Sequence, residues 1–376
     1  MDNNATTPLH PEVVDALLPF YREHFGNPSS IHWAGRKVKE AVEAAREQVA
    51  LLVNCDPTEI VFTSCGTEAN NMAIKGVASA LRERGNHIIT TRVEHPSVIN
   101  TCLFLENAGF DVSWLDVDRD GMLDVEALEK AITPTTILIS VMYANNETGV
   151  ITPAKEIGEI AANRKIYFHC DAVQAVGKVA VDCRALNANL LSLSGHKLQA
   201  PKGVGALVVR KGIKLHPLLH GGAQERNRRA GTENVAAIVA LGKACELARL
   251  TGENASRRLM CLRERLESGI TAALNDAVIV ARDRERLPNT VTVLFPDVAA
   301  DSLLFNLDLK GIAVSSGSAC SSGSLKTSHV LAAMGIAPSL AAGSVRFSLG
   351  PGNTEDEVDR VVAALDAIMA RLRRGR

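Results

Sequence analysis

In KVKEAVEAAREQVALLV (residues 37–53), Val38, Val42, Ala45, Val49 and Leu52 recur at three- and four-residue spacing, which predicts an amphipathic helix. Beyond it the period shortens. Strand-like runs appear at EIVFTS (59–64), NHIITT (86–91), FDVSWLDV (110–117), TILISVMYA (136–144), IYFHCDA (166–172), LLSLSGHK (190–197) and GALVVRK (205–211). Several are apolar on both parities, as strands covered on both faces are, and helical segments separate most of them. From residue 36 to about 250 the chain therefore reads as an α/β unit around a mostly parallel sheet.

The texture changes after TGENAS (251–256). Leu259, Leu262, Leu266 and Ile270 form a helical stripe, followed by strand-like NTVTVLF (289–295), IAVSS (312–316) and SVRFSLG (344–350). Thr354-Glu355-Asp356-Glu357 is a capping-box pattern, opening a last helix with Val358, Val361, Leu365, Ile368 and Leu372 on one face. These features predict a smaller α+β domain beginning near 254, whose loops reach over the first, because ligand sites favour domain interfaces. No internal repeat and no block of like charge interrupts the pattern.

Composition narrows the function classes. The chain has 376 residues, 46% of them hydrophobic, and a net charge of −1, so two sizeable cores are affordable and neither nucleic acid nor a membrane surface is the expected partner. No apolar run reaches bilayer-spanning length, and MDNNATTP has no signal-peptide hydrophobic region. The eight cysteines (55, 65, 102, 170, 183, 245, 261, 320) form no CxxC pair. The expectation is a reduced, cytoplasmic protein without a metal site, its cysteines mostly buried small hydrophobes.

Four places along the chain attract chemical interest, each with an ordinary structural alternative. Lys197, in SLSGHKLQAPKG (192–203), follows a buried strand at the end where open α/β sheets place ligands, and a desolvated lysine there suits Schiff-base formation. Taken alone it is a surface lysine. Asp171 ends IYFHCD, with Gln174 three residues on; a strand-end carboxylate near a lysine suits a pyridinium cofactor, and is otherwise a helix cap. Gly66-Thr67 turns from strand to helix with Thr67 expected at the N-cap, a seat for phosphate that many ordinary helices also present. His95 precedes Pro96 after a strand, and a lone histidine is more often structural.

Taken in order, these residues resemble the pyridoxal-phosphate enzymes of the class V aminotransferase superfamily, and within it the cysteine desulfurases of the NifS/IscS type. The likeness runs through DNNATTP (2–8), FGNPSS (25–30), MYANNETG (142–149), CDAVQAVGK (170–178), SGHK (194–197), RRAGTEN (228–234), SSGSAC (315–320) and RFSLG (346–350), and favours the nitrogen-fixation type over the housekeeping type. It implies transferase fold type I: a large cofactor domain (8–253) with a mostly parallel seven-stranded sheet, and a small domain (1–7 and 254–376). It also implies pyridoxal 5′-phosphate as cofactor, Lys197 as its Schiff-base lysine, Asp171 at the pyridine nitrogen and Gln174 at the ring hydroxyl. His95 would stack on the ring and move protons. Gly66, Thr67, Ser194 and His196 would hold the phosphate, with Thr232 reaching the phosphate of a neighbouring subunit in a homodimer. Asn146 would contact cofactor and substrate, and Arg346 would clamp the carboxylate of L-cysteine with its planar fork.

The stretch SSGSACSSGS (315–324) holds Cys320 among serines and glycines. The resemblance makes Cys320 the nucleophile that takes sulfur from cysteine as a persulfide and leaves alanine, with His95 as the base for the thiol, and the tether carries the sulfur to an acceptor such as an iron–sulfur scaffold. Departures from the family are Lys326-Thr327 where Glu-Pro is common, Cys65 (read as structural), a start almost directly at Asp2, and an end at Arg376 without the tail that housekeeping members use to dock the scaffold. Selenocysteine lyase and class V aminotransferase activities stay open as alternatives. A non-catalytic iron–sulfur carrier is disfavoured by the scatter of the cysteines.

Overall fold

The computed structural model describes residues 1–316 and 328–374; Cys320 lies outside the described residues. Seven strands form the main sheet: β1 (Ile60–Thr63), β2 (His87–Thr91), β3 (Asp111–Leu115), β4 (Thr136–Met142), β5 (Tyr167–Asp171), β6 (Leu190–Ser194) and β7 (Gly205–Val209), in the order β1-β7-β6-β5-β4-β2-β3. β7 pairs antiparallel with both β1 and β6, while every other pairing is parallel. Each expected run in this part of the chain forms a strand, and the fold is α/β.

β1, β2, β4, β5 and β6 therefore end on the same edge of the sheet. Apart from half-buried Tyr167 at the start of β5, their residues are buried throughout, which is why these runs are apolar on both parities. The helix Trp33–Val53 buries Val38, Val42, Ala45 and Val49 and packs on the 39-residue helix Val235–Ala273. The approach is close: a Cβ built on Gly242 would stand 2.5 Å from Ala45 Cα. Any side chain there would force the helices apart.

A second sheet holds β8 (Val278–Ile279), β9 (Thr290–Leu294) and β10 (Ser344–Ser348), all antiparallel. Its core joins Val291, Val293, Val345 and Phe347 to Leu262, Leu266, Val361 and Leu365. The helix Glu355–Arg374 opens as expected: Thr354 Oγ1 accepts from Glu357 N, and Glu357 Oε2 accepts from Thr354 N.

Two expectations need correction, after one continuity that the sequence did not reveal. Residues 251–256 lie inside the helix Val235–Ala273, which runs unbroken from one apolar cluster to the other; Gly252 is accommodated in the helix, at a small cost in propensity. IAVSS contributes only the isolated bridge Ser315–Arg346, not a strand. The helix after β1 starts at Gly66 with Cys65 as its N-cap, so Thr67 is the second helical residue. Among the described residues no helix is long and apolar enough to cross a membrane, and no group of His, Cys, Asp and Glu could hold a metal ion.

Candidate active site

A cavity of ≈ 350 Å³ opens at the shared carboxyl edge of the sheet. The segment after β1 brings Cys65, Gly66 and Thr67, that after β2 brings His95, and that after β4 brings Asn146. β5 ends in Asp171 with Gln174 just beyond, and β6 leads to Ser194, His196 and Lys197. Arg346 enters from β10 of the second sheet. Among the described residues, one cavity thus gathers every sequence-predicted site residue except Thr232. Cys65, expected as structural, also lines it.

Asp171 is buried. Its Oδ1 accepts from Val173 N at 3.0 Å and its Oδ2 from Asn70 Nδ2 at 2.6 Å. The same Asn70 amide donates to Ser97 Oγ at 2.8 Å, and Ser97 Oγ lies 2.8 Å from His95 Nδ1. Directions follow from valence. A carboxylate only accepts, so Asn70 must turn its NH₂ toward it. Ser97 Oγ then receives one hydrogen and gives its own to His95 Nδ1, which also accepts from Ser97 N at 3.1 Å. Nδ1 therefore carries no proton, and neutral His95 holds its proton at Nε2. Burial pushes the pKa of His95 down, nearby Lys197 and His329 add to that, and Asp171 opposes it.

Lys197 Nζ donates to Asn4 O at 2.5 Å and to Ala5 O at 2.8 Å. Asn4, 2% exposed, is the hub of the cavity roof. Its Nδ2 donates to Asn146 O and Thr290 Oγ1, its Oδ1 accepts from Lys178 Nζ and Asn289 Nδ2, and its carbonyl also accepts from Gln174 Nε2. The flanking Thr7 pins the strap by bonding to His196 O through both N and Oγ1. Periodicity could not find these residues; the run of small polar side chains in NNATT was the available signal, and it reads as a turn. Asn70, Ser97 and Glu94 were missed as well, because nothing in spacing marks a side chain that acts through another.

Arg346 is buried between two partners: Nη1 donates to Asn146 O and Nη2 to Asp2 Oδ1, both at 3.0 Å. Its Nε is buried with no partner among the described residues. Two neighbouring acids are held partly neutral by burial. Glu94 is pushed up to about 8, despite accepting from Thr91 Oγ1 and Met142 N, and Glu147, bonded to Ser328 Oγ, up to about 7. Burial also pushes His196 down to about 4, with Lys197 and Lys202 contributing. Neutral His196 beside Lys197 leaves the lysine and the helix start as the positive features of this end.

The residues present fit pyridoxal phosphate on the chain's own evidence. Ser194 Oγ is buried without a partner among the described residues, at the cavity wall. The helix Gly66–Ala80 points its first turn, with N–H groups that no intrahelical carbonyl can satisfy, into the same space. A Cβ on Gly66 would meet Val173 Cγ2 at 2.8 Å and stand 3.4 Å from Ser194 Cβ, so glycine keeps this corner open. Thr232 is exposed and lines a different cavity of ≈ 230 Å³, at the base of a loop anchored by the buried pair Arg46–Glu225 (2.8 Å).

Similarity to known proteins extends over nearly the whole chain. Residues 1–361 match the family model described as aminotransferase class-V. The chain is 52% identical over 373 residues to cysteine desulfurase IscS of Methanosarcina thermophila, covering 99% of this chain and 92% of that one. Among solved structures, a NifS-like protein superposes with TM-score 0.93 at 39% identity, covering 98% of each chain. A structure described as SspA in complex with cysteine does so with TM-score 0.83 at 36% identity, covering 94% of this chain and 99% of that one.

Proposed function

We propose that this chain, which belongs to the class V aminotransferase family and is a cysteine desulfurase, works on L-cysteine with pyridoxal 5′-phosphate bound through Lys197 and delivers the sulfur through Cys320. The observation that carries the residue assignments is the convergence, at one sheet edge, of a lysine, a buried carboxylate, an oriented histidine and a buried arginine. Bound there, pyridoxal phosphate supplies an electron sink for the carbanion formed from the substrate.

The chain's own groups divide the remaining work. Asp171, fixed by Asn70 and Val173 N, presents a carboxylate to the ring nitrogen and keeps a proton on it. Gln174 offers an amide hydrogen to the ring hydroxyl. Gly66, Thr67, Ser194 and His196 surround the phosphate, with Thr232 of the neighbouring subunit completing that seat. Arg346 receives the substrate carboxylate when Asp2 yields its place on Nη2, and Asn146 borders both ligands. His95 can give the Nε2 proton, and takes the Cys320 thiol proton at the same nitrogen only after it has given its own. The released thiolate is the nucleophile.

A homodimer is supported by the strongly exposed apolar side chains Tyr21, Phe25, Ile31 and Trp33 in one short segment, with Phe25 at 82% and Ile31 at 91%. Side chains of that size clustered in one stretch suit a subunit interface. Cytoplasmic residence is supported by seven described cysteines that form no disulfide. The sulfur acceptor is a second protein, such as an iron–sulfur scaffold.

Borohydride reduction followed by peptide mapping tests the assignment. The cofactor should be fixed to the peptide carrying SGHK, and Lys197→Ala should lose that link. In the wild type, alkylation after one turnover should find the extra sulfur on the peptide carrying SSGSACSSGS. Sulfur found on Cys65 instead, with Cys320→Ala still turning over, would sink the nucleophile assignment.

A further inference from the structure

Behind the cavity lies a second lysine that the site as described does not use. Lys178 Nζ donates to Gln174 Oε1 at 2.7 Å and to Asn4 Oδ1 at 3.1 Å. The side chain is half-buried and does not line the Asp171 cavity; it borders a separate one of ≈ 250 Å³, which Lys197 lines as well. An amine has two N–H groups for these two oxygens whether it is charged or neutral. That matters, because burial first, then Lys197 and Arg346, push Lys178 well below the ordinary lysine value.

Two amides that could each lie either way round are thereby locked. With Gln174 Oε1 held by Lys178, Nε2 occupies the other branch and spends one hydrogen on Asn4 O at 3.1 Å. Its second hydrogen is available to a ligand in the cavity that Gln174 lines. With Asn4 Oδ1 held by Lys178, its Nδ2 reaches Asn146 O, and its carbonyl carries Lys197 Nζ. We propose that Lys178 is a positioning residue that turns the Gln174 amide hydrogen toward the cofactor's ring hydroxyl and, through Asn4, seats Lys197. This rests on the reading that the cavity takes pyridoxal phosphate.

The test titrates the full-length apoenzyme with pyridoxal phosphate and records the visible band of the bound cofactor, for the wild type, Lys178→Met, Gln174→Ala and the double variant. Lys178→Met should weaken cofactor binding roughly tenfold, the size of one lost hydrogen bond, and change the band's shape. In the Gln174→Ala background the same replacement should change the band less, because the amide it orients is gone and only its hold on Lys197 through Asn4 remains. A band and affinity equal to wild type in Lys178→Met would overturn the proposal. So would an equal spectral change in both backgrounds, which a merely structural lysine would give. If Lys178→Met does not fold, Lys178→Gln, which keeps one donor, carries the same comparison with a smaller expected change. A wild-type chain that takes up no pyridoxal phosphate would instead sink the underlying reading, a result separable from the others before any variant is compared.

Discussion

The floor and the roof of the cavity are built by opposite means. The floor is a row of strand ends: Asp171, Ser194 and the turn to Lys197 continue largely buried strands whose register is fixed by neighbours on both sides, β4 and β6 for β5, β5 and β7 for β6. The roof is a strap of irregular chain, residues 2–7, fixed at its two ends by backbone bonds to Ser348 and His196 and between them by side-chain hydrogen bonds centred on Asn4, with Arg346 and Asn289 arriving from the second sheet region. A sheet positions groups by backbone pairing that many sequences satisfy, so the floor tolerates change around its functional residues. The strap has only the single bridge Asp2–Ser348 in place of a ladder, so the side-chain bonds of Asn4 carry much of its hold on the cavity. The floor should therefore fail through chemistry and the roof through affinity.

The largest effect expected of a floor replacement that leaves Lys197 in place is Asp171→Asn. It keeps the shape and the bond from Asn70 at risk only of a local amide turn, but removes the charge that holds a ring-nitrogen proton. Turnover should fall at least a hundredfold, about 3 kcal/mol of transition-state stabilisation, with cofactor still bound. Steady-state kinetics beside an absorption spectrum checks this; near-wild-type kcat would show that the floor does not work through this carboxylate.

Arg346→Ala is the corresponding roof replacement. Losing a two-point contact to a carboxylate should raise KM for cysteine by roughly tenfold to a hundredfold with a smaller change in kcat. A fall in kcat at constant KM would instead assign Arg346 to the chemical step. Smaller again, Asn4→Ala leaves Lys178 and Asn289 without their shared acceptor. It should weaken pyridoxal phosphate binding about tenfold and lower stability by about 1–3 kcal/mol, read by titration and by denaturant unfolding. Equal sensitivity of turnover in Asn4→Ala and Asp171→Asn would erase the distinction between roof and floor.

The same contrast explains what could be read in advance. Six of the seven strands of the main sheet were legible because burial on both faces demands apolar runs and turns punctuate them; the edge strand β3, buried only at Leu115, was legible from its strand-like run alone. Asp171 and Lys197 were legible because they sit at the ends of those runs. Asn4, Asn70, Ser97 and Lys178 were not, since their roles depend on which groups converge in space, and small polar residues in turns and helix starts have many ordinary uses. The change of texture across 251–256 was legible, but the unbroken helix that carries it was not, for a related reason. Composition shifts there from one apolar cluster to the other, but the backbone has no need to break.

Beneath the floor, Glu94 provides the last and mildest test, one that should touch stability more than catalysis. Its carboxyl is fully buried beside His95, accepts from Thr91 Oγ1 at 2.7 Å and Met142 N at 3.1 Å, and is pushed up to about 8 by burial. Between the ordinary glutamate value and about 8, the unfolded chain ionises Glu94 while the folded chain keeps it protonated. The folded state then binds more protons, so unfolding free energy falls as pH rises through this window and levels off above it. The contribution is fully present below the ordinary glutamate value. Glu94→Gln keeps the accepting oxygen without the ionisation, so its stability should lack this fall, and its advantage over wild type should grow with pH by a few kcal/mol. Denaturant midpoints at pH 5, 7 and 9 measure the difference. Parallel pH profiles for the two proteins would mean that Glu94 is ionised in the fold. Turnover at pH 7 should change less than threefold, since His95 is oriented through Ser97 and Asn70 rather than through this carboxyl.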